Sequence, residues 1–401
     1  MVKPAILTLN AGSSSLKFAV FGAATSGKRL MFGAVERIGL DGASFVMSDA
    51  RGTEIVSATG GIGTHAEALE RLLLSLDRLR DKVQLTAVGH RVAHGGPECD
   101  CPKRATPAIL ARLRRLIHLA PLHLPANIAG IEAVSASRPD LPQVACFDTS
   151  FHHDLPQIAR MTGLPRRFHN EGLRRYGFHG LSYEYILEAL RCDGIDVGME
   201  RIVVAHLGNG ASLCAIRNAQ SVETTMGFST ASGLPMGTRS GDLDPGLLLY
   251  LMTVKGISGS ELSEMVFAGS GLLGLSGISR NMEDLLARHE EAAAEAIEYF
   301  CYHTRRHLAG LTASMGGIDR LVFTGGIGAN APRIRAAICD GLNYLGIALD
   351  QGANHRGGKV ISAPGAQVKV EVRKTDEEAM IARHVRALAP CGATSNRAEA
   401  L

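Results

Sequence analysis

Two stretches of the chain share one form. "ILTLNAGSSSLKFAV" stands near the start and "IVVAHLGNGASLCAI" near the middle. Each is a β-rich run, a polar residue, a glycine turn with small residues, and a second β-rich run. Such self-similarity constrains the fold more than any single motif, because it suggests two domains of one ancestral design facing each other across a cleft. Length agrees with two domains, since 401 residues exceed the size at which a single hydrophobic core usually stops growing.

The runs around each copy support an α/β protein with mixed sheets. "AILTLN", "LKFAVF", "RLMFGAV" and "ASFVMS" are predicted as closely spaced strands. The helix predicted at "HAEALERLLLSLDRLRDK" carries Leu69, Leu72, Leu73, Leu76 and Leu79 in one apolar stripe. After "QVACFDTSFHH" the plan repeats: "RIVVAHLG", "ASLCAIRN" and "QSVETTMG" are predicted strands, and "EEAAAEAIEYFCYHTRRHLAGLTASM" a long helix. The final "APCGATSNRAEAL" is predicted to fray.

A phosphate chain needs backbone N–H groups aimed at it from residues without bulk. "NAGSSSLK" supplies a glycine turn, three hydroxyls and Lys17; "HLGNGAS" supplies two glycines, Asn209 and Ser212. Neither is a P-loop, because no second glycine directly precedes Lys17. Either turn alone reads as a Gly/Ser hairpin rather than a phosphate site. Two in matching positions favour phosphate. A third element, "RLVFTGGIGANAPRIRAAICDGL", is strand, glycine turn and helix. Its "GIGANA", with Asp350 downstream, is compatible with a dinucleotide-binding unit and so with a dehydrogenase. A helix start beside a nucleotide's phosphate or ribose fits it as well, and a non-catalytic nucleotide-binding module is a further alternative.

Composition narrows the partners. The net charge is +3 and no Lys/Arg-rich run stands out, so nothing favours nucleic acid or an anionic membrane. No apolar run approaches the ~20 residues of a membrane span. Eight scattered cysteines without a signal peptide fit reduced thiols in a cytoplasm. A small anionic ligand needs only local positive charge, and the polar segments between the glycine turns supply it. There His90, His94, His123, His152, His179 and His206 accompany Arg91, Arg175, Arg239, Asp148 and Asp242. One shared cleft explains that company more economically than separate structural roles.

The ordered motifs "LNAGSSSLKF", "GHRVAHGG", "APLHLPAN", "FDTSFH", "RRYGFHG", "AHLGNGAS", "MGTRSGDLDPG", "TGGIGAN" and "TDEEAMIARH" resemble the acetate kinase family. That family lies within the superfamily of sugar kinases, heat-shock chaperones and actin, and the resemblance covers nearly the whole chain. It implies two actin-like (ribonuclease H-like) domains with mixed sheets flanked by helices: residues 1–150 with about 380–401, and a nucleotide-binding domain of 151–380. It implies reversible, Mg2+-dependent transfer of the ATP γ-phosphoryl group to acetate, with Mn2+ an alternative metal, propionate or a broader range of short-chain acids an alternative substrate, and a homodimer as the assembly.

Carried over position by position, the resemblance assigns Asn10 and Glu377 to the metal. Ser13, Ser15 and Lys17 form the first phosphate turn; His206, Leu207, Gly208, Asn209 and Gly210 form the second. Arg91 and Arg239 clamp the substrate carboxylate and the moving phosphoryl group, His179 adds a hydrogen bond to that group, and Asp148 positions the arginines. Asn281, Met282 and Glu283, with Gly325, Gly326, Ile327, Gly328 and Ala329, border the nucleotide. Ala93, Leu122 and Phe178 border the acyl group beside Arg91.

The chain departs from the family pattern in four places. Ala329 replaces the glutamate of "GGIGEN", Asn281, Met282 and Glu283 stand for Asp-Met-Arg, Ser229 to Gly233 ("STASG") stand for "TPLEG", and Ala93 replaces a common valine. The division of labour is chemically sound. A carboxylate with a pKa near ~4.3 is already ionised at neutral pH and needs no general base. It needs placement in line with the leaving group, and cations around the equatorial oxygens, which arginine supplies.

Overall fold

The computed structural model describes residues 2–12, 14–24 and 27–389. Ser13 lies outside the described residues, as does the "APCGATSNRAEAL" segment from Pro390 onward. The chain divides into two compact units, one running to Ser150 and resuming at Asp376, the other spanning Phe151–Thr375. The return falls at Asp376 rather than near 380. Asp376 caps the last described helix, accepting from Ala379 N at 2.9 Å, so cap and helix belong to one body.

The first unit holds strands β1 (Lys3–Ala11), β2 (Ser15–Gly22), β3 (Arg29–Glu36), β4 (Ser44–Asp49), β5 (Glu54–Thr59), β6 (Val83–Val92), β7 (Lys103–Arg104) and β8 (Gln143–Phe147). They form one sheet in the order β5-β4-β3-β2-β1-β6-β8-β7. β1 pairs antiparallel with β2 and parallel with β6, and β6 pairs parallel with β8. Strands covered on both faces read as continuous apolar runs, and β1 is buried without a break from Ala5 to Leu9. The leucine stripe of helix His65–Asp77 packs on one side of the sheet. Helix Glu377–Leu388 buries Met380, Ile381, Ala382 and Val385.

The second unit holds β9 (Ile202–Leu207), β10 (Ala211–Arg217), β11 (Gln220–Thr224), β12 (Arg320–Thr324) and β13 (Lys369–Val372), in the order β11-β10-β9-β12-β13. β9–β10–β11 is antiparallel and β9–β12–β13 parallel. This is the arrangement of β3-β2-β1-β6-β8 over again, so the duplicated core read from the two glycine turns is present in the strand order. Helix Glu291–Met315 packs Phe300, Leu308 and Leu311 with Leu213 and Leu321. Helix Gly180–Cys192 packs Tyr183, Ile186, Leu187 and Leu190 with Val204, Cys214 and Val322. No helix among the described residues is long and apolar enough to cross a membrane.

Candidate active site

Both units carry polar residues at the carboxyl ends of their parallel strands, where an α/β sheet leaves groups available to a ligand. In the first unit these are Asn10 on β1, Arg91 on β6 and Asp148 just past β8. Arg91 grips Asp148 with two bonds, Nε to Oδ1 at 3.1 Å and Nη2 to Oδ2. Its Nη1 donates to Asn10 Oδ1 at 3.1 Å, and Glu377 Oε2 lies 3.8 Å from its Nε. Burial disfavours the Arg91 cation, but the carboxylates of Asp148 and Glu377 outweigh it and hold the pKa above its ordinary value. Burial also dominates at Glu377, raising its carboxyl pKa against the pull of Arg91.

Asn10 stands opposite Lys17 in the β1–β2 register, and Ser15 opens β2. The turn is tied by Gly12 N donating to Ser15 O at 2.8 Å and by His65 Nε2 donating to Gly12 O at 2.7 Å. Ala93 is buried, its N–H bound by Asn127 Oδ1 at 2.9 Å, while Asn127 Nδ2 donates to Ala11 O at 2.9 Å. Asn127 thus joins the strands that carry Asn10 and Arg91. Leu122, just before helix Leu124–Ser137, is exposed.

In the second unit, His206 and Leu207 end β9, and the turn through Gly208, Asn209 and Gly210 leads into β10. Gly210 is where the site closes in. A Cβ there would lie 3.2 Å from His179 Nε2 and 3.5 Å from Arg239 Nη1, so the turn, the imidazole and the guanidinium converge on one backbone. Arg239 belongs to a nested loop: Gly233 N donates to Asp242 Oδ1 at 2.7 Å, Asp242 N to Gly233 O at 3.0 Å, and Met236 N to Arg239 O at 3.0 Å. Gly237 N then donates to Asn209 O at 3.1 Å, docking the arginine loop on the Gly208–Gly210 turn.

"GGIGAN" follows β12 as a short helix, Gly325–Asn330. Gly325 has φ +76°, and a Cβ on it would meet Leu207 O at 2.5 Å, so only glycine lets this segment lie against the end of β9. Beneath it Arg335, fully buried, donates to the carbonyls of Gly328 at 2.9 Å and Ala329 at 3.1 Å, and to Asn354 Oδ1 at 2.8 Å. Gly326 and Ile327 sit in the first turn, Ile327 packing on the core. Asn281 precedes helix Met282–Leu286; it and Glu283 are exposed, whereas the Met282 side chain is in the core, as is Phe178.

Some of the polar company proves structural. His90 Nε2 donates to Gln143 Oε1 at 2.7 Å, and His152 Nε2 to Phe178 O at 2.9 Å. Burial pulls both histidines down to a pKa of about 4, so they are neutral core side chains. Arg175 pairs with Glu223 at 2.8 Å. The residues the sequence left unnamed are Asn127 and Arg335. Asn127 lies inside the quoted "APLHLPAN", and Arg335 is an arginine in an otherwise apolar helix face, which was the available signal.

Residues 5–383 match the model of the acetokinase family. The chain belongs to the acetokinase family. It is 46% identical over 397 residues to an acetate kinase of Methylocella silvestris, covering 96% of this chain and 97% of that one. It is 43% identical to a propionate kinase of Citrobacter rodentium, covering 96% of each. Among solved structures, Porphyromonas gingivalis acetate kinase superposes with a TM-score of 0.87 at 37% identity, and a Francisella tularensis propionate kinase with 0.88 at 34%. Each pairing covers 96% of this chain and 99% of the other. As a member of the acetokinase family the protein is a phosphotransferase with a carboxyl group as acceptor. The dehydrogenase alternative falls, and the structure gives the local reason: Asp350, instead of ending a strand, caps helix Gln351–His355 through Ala353 N at 2.9 Å.

Proposed function

We propose that the protein is an acetate kinase, transferring the γ-phosphoryl group of ATP to acetate and catalysing the reverse reaction. A carboxylate oxygen attacks the γ-phosphorus, forming an O–P bond, as the bond from that phosphorus to the β,γ-bridging oxygen breaks and ADP leaves with the electron pair. The supporting observation is the commitment of Asp148. Bound by two donors of Arg91, it is an orienter of a cation rather than a base, as suits a nucleophile that is ionised already. Arg91 holds the carboxylate; Arg239 and His179 stabilise the charge on the moving group; the turns at Ser15–Lys17 and His206–Gly210 carry phosphate; Asn281, Glu283 and Gly325–Ala329 border the nucleoside.

Asn10 and Glu377 offer an amide oxygen and a carboxylate, the hard donors that Mg2+ takes in small number beside phosphates and water, and Mn2+ accepts the same set. They are the residues that would hold the ion, although among the described residues no cluster of three His, Cys, Asp or Glu side chains forms a closed metal cage. Bound there, Mg2+ would neutralise charge on the β- and γ-phosphates. Hydroxylamine trapping tests the reaction: hydroxamate should form only with ATP, Mg2+ and a carboxylate together. ATP binding without hydroxamate would leave a nucleotide-binding module instead.

Ala93 shortens the acyl wall relative to valine, so propionate should be used with kcat/KM within about tenfold of acetate, one methylene being worth roughly 1 to 3 kcal/mol. A propionate value a hundredfold below acetate would sink that expectation. The homodimer has a natural carrier in helix Pro245–Thr253, which has no buried residue and exposes Leu247, Leu249, Tyr250 and Met252. Light scattering should give twice the chain mass for this cytoplasmic enzyme, and a Leu249→Glu/Tyr250→Glu variant should run as a monomer. An unchanged dimer in that variant would place the interface elsewhere.

A further inference from the structure

Behind the imidazole at Gly210 lies a set of buried hydroxyls, among them Ser212, which the sequence places in a phosphate turn but which the structure turns inward to side chains. His179 Nδ1 is 2.8 Å from Ser212 Oγ, and Ser212 Oγ is in turn hydrogen-bonded to Tyr183 Oη. His206 Nδ1 is 2.8 Å from Ser182 Oγ. The two rings stack with centroids 4.3 Å apart and planes 24° apart. Ser182, Tyr183 and Ser212 are fully buried. The ties cross: Ser212, on β10, holds the ring that precedes helix Gly180–Cys192, while Ser182, on that helix, holds the ring carried by β9. His206 and Ser212 face each other directly in the β9–β10 register.

We propose that Ser212 is a positioning residue that fixes the tautomer of His179, so that the ring presents Nε2–H at Gly210. This rests on the reading of His179 as a hydrogen-bond donor to the moving phosphoryl group.

The direction follows from the proton inventory. A serine hydroxyl has one proton to give, and Ser212 stands between a phenol and an imidazole nitrogen. The phenol is the stronger acid, so it donates to Ser212 Oγ, and Ser212 donates to Nδ1. Nδ1 is then the acceptor and the ring proton sits on Nε2, the nitrogen 3.2 Å from the position of a Gly210 Cβ. The opposite assignment would turn an Nε2 lone pair toward phosphate oxygens, acceptor against acceptor. His152 shows the same device where the assignment is forced. Its Nε2 faces the Phe178 carbonyl, which can only accept, so its Nδ1 takes the proton of Ser221 Oγ at 2.8 Å. The backbone adds a second constraint on His179, held at φ +61° where non-glycine residues are uncommon.

The test is 15N-histidine NMR of the full-length protein beside steady-state kinetics. In the wild type the His179 signals, assigned by their loss in His179→Ala, should show a pyridine-type Nδ1 and a protonated, pyrrole-type Nε2. Ser212→Ala should convert them to a tautomer mixture and lower kcat about tenfold, with KM for ATP and acetate within twofold. That is less than the ~10²–10³ expected for deleting a transition-state donor, because the ring still offers Nε2–H part of the time. Tyr183→Phe removes the donor that sets the direction of the serine and should admit part of the Nδ1-protonated tautomer; an unchanged tautomer there would overturn the proton order. A His179 that is Nδ1-protonated in the wild type, or unchanged in Ser212→Ala, overturns the inference, as does a tautomer change that leaves kcat untouched. Normal turnover in His179→Ala would instead overturn the role assigned to His179, a failure distinguishable because the NMR result does not depend on activity.

Discussion

Replacing Arg239 by alanine is expected to lower kcat by about 10³-fold or more while moving the melting temperature little. The first half rests on what the guanidinium faces. It converges with His179 Nε2 on Gly210, whose lack of a side chain leaves the room that the proposed function gives to a phosphoryl oxygen. Charge accumulates on those oxygens as two anions are forced together, and an arginine finger is worth roughly 10³ to 10⁵ in such reactions. The second half rests on how the loop is held. Its closure runs through Gly233 and Asp242, the Met236–Arg239 backbone turn, and Gly237 to Asn209, none of which uses the Arg239 side chain. Two bonds of that side chain, to Thr230 O at 3.3 Å and Met236 Sδ at 3.6 Å, are long. Lysine at 239 should recover part of the loss, keeping the charge but not the planar fork. Near-normal turnover in Arg239→Ala would remove it from the mechanism.

The duplicated core was legible because its signal is local. A glycine turn between two apolar runs writes itself into consecutive residues, so both hairpins, β1–β2 and β9–β10, stood in the sequence before any coordinates. Helix patterns with a clear stripe, such as Leu69 to Leu76, were legible for the same reason. What the sequence concealed is long-range. His90 and Arg91 are neighbours in the chain, yet alternation along β6 sends one to Gln143 and the other to Asp148, and only the strand pairing tells which is core. Asn127 and Arg335 serve backbone carbonyls and amides distant in sequence, a task that leaves no spacing rule. Glu377 was placed by resemblance alone. Its approach to Arg91 depends on helix Glu377–Leu388 returning to the first unit, beyond the reach of periodicity.

That approach makes Arg91 the site of the other large effect. If Arg91 holds the carboxylate as proposed, Arg91→Ala should lower kcat/KM for acetate by about 10³-fold, since one of the cations that lets the carboxylate near the phosphate is lost. Unlike Arg239→Ala, it should also destabilise the protein, by roughly 3 to 5 kcal/mol, because breaking a buried ion pair from one side leaves the buried partner charge short of donors. Asp148 is the partner, 2% exposed and losing two charge-assisted bonds at once. Asn10 and the Glu377 carboxylate lose a neighbouring donor or cation as well. Two variants separate stability from chemistry. Arg91→Met/Asp148→Leu replaces both charges by apolar bulk and should regain most of the lost stability in urea unfolding, while activity stays at the Arg91→Ala level. Arg91→Lys keeps a charge without the fork and should fold well but still raise KM for acetate. If Arg91→Ala instead melts like the wild type, the pair with Asp148 carries little energy. If it also keeps its KM for acetate, the carboxylate is held by other residues.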